Sequence, residues 1–176
     1  EKAEELKSAI KKEINTEWKK AFDAPTIKAS LANELNDVYK TYTPTVNLPD
    51  FNNTKELRLI DAISEGLKQS MEKHPETIIM GQDIADYGGV FKVTEGFLEA
   101  FGKDRVRNTP LCESAIVGAA LGLSIMGKKA IMEMQFADFV TVGFNQIINN
   151  LAKLHYRWNE NADVVIRMPT GAGVGA

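Results

Sequence analysis

A single cysteine, Cys112, stands in a chain of 176 residues, so no disulfide can form within it and a fold built on a disulfide framework is excluded. One free thiol fits a reducing compartment. Histidine is nearly as scarce: His74 and His155 are the whole complement, and neither has a cysteine or carboxylate at metal-ligand spacing. No apolar run approaches the roughly 20 residues that span a bilayer, and the charged first residues contain no signal-peptide core. Charge of one sign is lacking too. A net charge of −3 gives no electrostatic footprint for nucleic acid or for an anionic membrane. Internal repeats and low-complexity tracts are absent. What remains, 44% hydrophobic and 26% charged residues, is the balance of a soluble globular protein, long enough for one domain and an appendage. The start at Glu1 and the end at Ala176 inside a glycine-rich turn lead us to expect a piece of a longer polypeptide.

Leu6, Ile10, Ile14, Trp18 and Phe22 repeat at four-residue steps and predict an amphipathic helix over residues 4 to 22. Interleaved acids argue against a calmodulin-like or membrane-surface use and for packing on a protein surface. A second helix is expected from about Thr26 to Tyr39. Thr43–Asn53, TPTVNLPDFNN, reads as a linker. Asn53 and Glu56 are spaced as a capping box, ahead of a helical face of Leu57, Ile60, Ile63, Leu67 and Met71 that His74-Pro75 stops. Thr77–Met80 predicts a strand, Tyr87-Gly88-Gly89 a turn, and Thr94–Phe101 a short helix. A helix from Glu113 to Met126, a strand over Ala130–Phe136, a helix over Asp138–Arg157 with Asp138 as N-cap, and a strand over Asp163–Met168 follow. Strands alternating with helices predict an α/β fold, a mostly parallel sheet with helices on both faces, preceded by an α-helical N-terminal segment.

One stretch carries the most information. In Thr109-Pro110-Leu111-Cys112-Glu113 a carboxylate opens a helix of small and apolar residues in which no charge recurs until Lys128, and which therefore reads as buried all round. Such an acid is partly desolvated and sits at the positive end of the helix dipole. It either caps the helix or meets a polar atom of something bound, and acids commonly cap first turns.

Five blocks in order, GQDIADYGGVFKVTEGF (Gly81–Phe97), FGKDRVRNTPLCESAIVGAALG (Phe101–Gly122), EMQFADF (Glu133–Phe139), NQIINNLAKLHYR (Asn145–Arg157) and VIRMPTGAG (Val165–Gly173), resemble the β subunit of thiamine-diphosphate-dependent 2-oxoacid dehydrogenases, the E1 components of the oxidative decarboxylase complexes. The resemblance implies the pyrimidine-binding, transketolase-like domain from residue 54 to 176. Residues 1–42 look like the C-terminal tail of the partner α subunit, joined through a linker at 43–53, so that the whole looks like the centre of a fused α–β chain.

The resemblance also implies a chemistry. Thiamine catalysis needs a proton removed from the thiazolium C2, which the cofactor's own 4′-amino group does once a carboxyl group is hydrogen-bonded to its ring N1′. A glutamate in a dry pocket suits that role, and Glu113 is the residue carried over as catalytic. Leu111 looks like an apolar contact for the pyrimidine, Gln135 like a polar partner near its amino edge, and Phe139 like the aromatic that stacks on it. From the residues alone, Phe139 reads equally as a core aromatic opening a helix. Gln135 ends an apolar strand, where a buried amide needs a partner and where parallel sheets bind ligands. His74 reads as exposed, His155 and Cys112 as structural.

Thiamine diphosphate is thus the implied cofactor, with its Mg2+ held by a GDG motif of the α part that this sequence lacks; the family's HSQ motif would fall beyond Ala176. The expected partners are a lipoyl-bearing E2 acyltransferase, a 2-oxoacid (branched-chain favoured, pyruvate next) and a second copy of the chain in a homodimer, with no nucleic acid and no membrane. The segment alone is expected not to decarboxylate a 2-oxoacid. A cytoplasmic location follows if bacterial, the mitochondrial matrix if eukaryotic. YRWNENADVVIR departs from the family's YRSGG approach to the last strand, which leaves the contacts after Arg157 open. Alternatives are a transketolase-like or acetoin-cleaving thiamine enzyme, or a non-catalytic assembly domain.

Overall fold

The computed structural model describes residues 2–171; the glycine-rich end, with the last residues of the VIRMPTGAG block, lies outside them. Backbone contacts divide the chain after Asn36. In the first unit, helix α1 (Lys2–Asp23) forms where the four-residue step predicts it. Its apolar stripe from Leu6 to Phe22 is exposed, with Trp18 and Phe22 stacked at 5.2 Å. Its polar faces are knitted by Lys7–Glu4 and Lys20–Glu17 pairs one turn apart. Helix α2 (Leu31–Val38) is shorter than expected because Ser30 sets its start: the hydroxyl accepts the Asn33 amide at 3.4 Å and the carbonyl accepts that of Glu34, the N-cap arrangement.

The linker has no helix or strand. Asp50 folds its end into a turn, accepting the Asn52 and Asn53 amides. That turn takes Asn53 out of position for a capping box, and the expected box does not form. Helix α3 (Leu59–Lys73) starts instead after extended Arg58, which grips Asp61 through Nε and Nη2 at 2.7 and 2.8 Å. This exposed pair holds the Asp61 carboxyl low and the guanidinium high, chiefly through the hydrogen bond itself. The helix stops at His74, extended before Pro75, as the pyrrolidine ring requires.

Four parallel strands, β1 (Thr77–Gly81), β2 (Val106–Asn108), β3 (Lys129–Glu133) and β4 (Val164–Arg167), form one sheet in the order β2-β1-β3-β4. Strand alternation sends Ile79 and Ile131 to one face and Met80, Ala130 and Met132 to the other. The first face packs Met71 of α3 and Phe97 of α4 (Phe97–Phe101). The second packs Ile116, Val117 and Ala120 of α5 (Glu113–Ile125). The chain steps from β1 outward to β2, then returns past β1 to β3. Right-handed crossovers in opposite directions must lie on opposite faces, so α4 and α5 cover different sides. The expected α/β fold with both faces covered is what forms.

Three local expectations are corrected. Helix α5 is not buried all round: Ala115, Ala119, Gly122 and Ile125 face outward, because only the Ile116–Val117–Ala120 side meets the sheet. Asp138 is no N-cap; it lies inside a 3-10 turn, Ala137–Phe139, that Phe136 precedes without a side-chain bond. The single helix expected over Asp138–Arg157 is instead α6 (Val140–Gln146), a π turn (Ile147–Leu151) and α7 (Leu154–Trp158). The Ala152 amide reaches back five residues to Ile147, the wide spacing that defines such a turn.

Candidate functional site

The strand order reverses between β1 and β3, and open α/β sheets bind ligands at the carboxyl ends of the strands at such a point. Gly81 ends β1 so close to its neighbour that a Cβ there would lie 2.7 Å from the Glu133 carbonyl oxygen. The chain therefore turns without a side chain, the Gly81 carbonyl accepting the Thr109 amide, and delivers Gln82 and Asp83 to the sheet's edge. From the β2 side, Thr109 to Cys112 leads into α5 and places Glu113 in its first turn.

Glu113 is 9% exposed and Gln82 4%. The Gln82 Nε2 donates to Glu113 Oε1 at 3.2 Å, while the Gln82 Oε1 is buried with no hydrogen-bond partner. The adjoining residue Asp83 accepts a bond from Gln135 Nε2 at 3.3 Å. Two consecutive residues after β1 thus reach the head of α5 and the segment after β3, each through its own hydrogen bond. Phe139, 38% exposed, meets Phe136 edge-on with ring centroids 6.1 Å apart. Leu111, 79% exposed, stands in solvent two residues before the acid. Neither has a described contact with Glu113. Cys112 is half-buried, its thiol donating to the Pro110 carbonyl.

Below this edge, Glu133 is 1% exposed and ion-paired with Arg167, its register neighbour on β4. Burial pushes its carboxyl above the usual range; the Arg167 charge and hydrogen bond, and more weakly the Val90 amide, pull the other way. Over it passes the expected turn. Gly88 and Gly89 have φ of 85° and 72°, and a Cβ on Gly89 would lie 3.0 Å from Thr94 Oγ1 and 3.4 Å from Glu133 Oε1. Phe91 and Lys92 follow at φ 59° and 60°, a left-handed pair that L-residues seldom adopt. Lys92 holds it by donating to the Tyr87 carbonyl at 2.5 Å with its ammonium over the Tyr87 ring.

Sequence reading passed over Gln82 and Glu133. A neutral residue leaving a strand looks like turn chemistry, whereas an acid inside the apolar strand expected over Ala130–Phe136 was a legible signal. His74 lies near Glu76 at 3.5 Å, and the buried His155 Nδ1 has no partner. Among the described residues no group of three or more His, Cys, Asp or Glu could hold a metal ion, and no helix is long and apolar enough to cross a membrane.

Comparison with known families matches residues 55–176 to the family described as "Transketolase, pyrimidine binding domain". The chain belongs to that family. Among proteins with curated descriptions, the 2-oxoisovalerate dehydrogenase subunit beta of Bacillus subtilis is 46% identical over 117 residues, covering 65% of this chain and 36% of its own. The pyruvate dehydrogenase E1 component subunit beta of Leifsonia xyli is 43% identical over 124 residues, covering 69% and 37%. A mitochondrial 2-oxoisovalerate dehydrogenase subunit beta 2 of Arabidopsis thaliana is 44% identical over 121 residues, covering 67% and 34%. The resemblance to E1 β subunits read from the five blocks is thus borne out, with both branched-chain and pyruvate types among the pyrimidine-domain relatives. This chain spans about a third of the length of those proteins. Relatives come from bacteria and from plant mitochondria and chloroplasts. A solved structure described as a split gene transketolase, inactive beta4 tetramer, aligns with 61% of this chain and 32% of its own at a TM-score of 0.47 and 20% identity.

Proposed function

We propose that this chain forms the aminopyrimidine half of a thiamine diphosphate site in the E1 component of a 2-oxoacid dehydrogenase, with Glu113 as its catalytic acid. The observation that carries the reading is a carboxyl group buried at the head of an apolar helix, at the sheet's switch point, oriented by a carboxamide whose oxygen is itself unpartnered. A buried carboxyl held in one place fits a ring nitrogen with which it can share a proton. When bound, the cofactor supplies the electron sink for decarboxylation. Glu113 shares a proton with the ring's N1′, the step that general acid–base catalysis asks of a carboxyl excluded from water. Gln135, held by Asp83, serves the amino edge, and Phe139 and Leu111 offer apolar surface to the ring.

The rest of the protein completes the reaction. An α-type region holds the diphosphate and Mg2+, the tail 1–42 belongs to that region, and a lipoyl-bearing E2 takes the acyl group. The preferred substrate is a branched-chain 2-oxoacid, with pyruvate next. The outward small residues of α5 permit close approach of a second copy in a homodimer. The setting is the bacterial cytoplasm or an organelle matrix.

Calorimetric titration with thiamine diphosphate and Mg2+ tests the reading. Glu113→Gln should weaken binding at least about tenfold, since it removes the charge-assisted bond. Equal affinity of the two proteins would overturn it. Turnover of a 2-oxoacid by this chain alone would overturn the assignment of half a site.

A further inference from the structure

Gln82 is the least expected member of the site, and its geometry has a consequence for the acid beside it. The two side chains are both at least nine-tenths buried, and they meet through one bond, from Gln82 Nε2 to Glu113 Oε1. An ionised carboxylate accepts only, whereas a protonated carboxyl must also donate. A carboxamide answers both: its NH2 donates to the carboxylate, and its oxygen, which is buried without a partner, accepts from the carboxylic acid after a half-turn of the amide. We propose that Gln82 is a positioning residue that holds Glu113 in one place whether or not Glu113 carries a proton. This deepens the reading above and rests on it for its catalytic meaning.

The neutrality of Gln82 matters as much as its hydrogen bonds. A second carboxyl at that distance would share one proton with Glu113, and the pair would titrate as a unit. The amide leaves Glu113 as the only ionisable group of the buried pair, so the shared proton passes between the acid and its ligand. The other titratable groups on the packed elements are engaged or set apart. Cys112 adjoins on the N-terminal side of α5 with its thiol bonded to Pro110. Asp83 is bonded to Gln135, Asp86 to Asn108, and Glu133 to Arg167. Strand β1 and the α6 helix that crosses α5 at Gly143 have none.

The test has two arms. In the first, the side-chain amide of Gln82 is followed by 15N NMR across an acid-to-neutral titration of the chain itself, with exposed Gln69 for comparison. The Gln82 signals should exchange slowly, shift with pH, and lose that shift in Glu113→Gln. Signals that stay still, or that move identically in the variant, would overturn the proposal. In the second arm, Gln82→Leu should weaken thiamine diphosphate binding about tenfold, and Gln82→Glu should bind under acid conditions and lose affinity as pH rises. Unchanged affinity of Gln82→Leu would overturn the proposal even if Glu113→Gln binds poorly. Equal binding by wild type and Glu113→Gln would instead sink the cofactor reading, leaving the NMR arm to decide the pairing.

Discussion

Arg167 and Glu133 are register partners at the carboxyl ends of β4 and β3, joined by an ion pair with the acid sealed beneath Gly89. Burial dominates the acid's titration and sets its pKa above the ordinary carboxylate value, against the opposing pull of Arg167. A raised acid stabilises the native state fully below its unfolded pKa, and that contribution is lost as pH rises through the folded value. Removing the arginine leaves a buried charge unpaired at neutral pH, which costs about 3 kcal/mol, and raises the pKa further. Urea unfolding of Arg167→Met should therefore show its largest deficit against wild type at pH 7, narrowing toward pH 5 as the acid is neutralised. A deficit that widened on acidification would contradict the burial argument.

What could be read from the residues followed the strength of the periodic signal. Helix α3 ended at His74-Pro75 as expected, and α5 ended at Ile125, one residue before the expected Met126, with Gly127 at a φ of 77° supporting the backbone return of Lys128 to Leu123. Strand β2 was invisible because it is three residues long, at the sheet's edge, with only Val106 buried. The π turn hides inside QIINN, whose apolar spacing still fits a helix, although Asn149 bonds to Asn145 and Asn150 to Gln146 along it. Glu113 was legible as a lone charge among small apolar residues. Gln82 was not, because an uncharged turn residue carries no pattern until its partner is seen across the fold.

Gly81 bears on the site through space rather than conformation. A methyl group there would meet the Glu133 carbonyl at 2.7 Å and the Glu133 Cβ at 3.0 Å, and backbone on both sides cannot yield cheaply. Gly81→Ala should lower stability by about 2 kcal/mol and displace Gln82, its neighbour. Chemical denaturation measures the first effect, and loss of the slow exchange at the Gln82 side-chain amide the second. A variant as stable as wild type would mean that the strands part more easily than their packing implies.

Arg105 ties three carbonyls together: its guanidinium donates to Met71, His74 and Thr77 at 2.7, 3.0 and 3.0 Å, joining the end of α3 to the start of β1. It also lies 5.2 Å from the Phe101 ring centre. A lysine keeps the charge but not the planar fork. Arg105→Lys should cost about 2 kcal/mol, from carbonyls left without their charged donor. The thermal midpoint should fall with no change in the sheet's circular dichroism at low temperature. A midpoint equal to wild type would show that water replaces the fork at no penalty.

Leu111 separates a structural from a functional use of the same side chain. At 79% exposure it buries little in the folded chain, so Leu111→Ala should leave stability within about 0.5 kcal/mol of wild type. If the ring of thiamine diphosphate covers it, the same truncation removes apolar surface from the complex, worth about 1 kcal/mol or roughly a fivefold loss of affinity. The two measurements, denaturation and calorimetric titration, move apart only when a solvent-facing leucine becomes buried by a ligand. Loss of stability without loss of affinity would make Leu111 a packing residue after all. Loss of neither would leave the ring supported from Phe139 alone, and Phe139→Ala would then carry the whole apolar contribution.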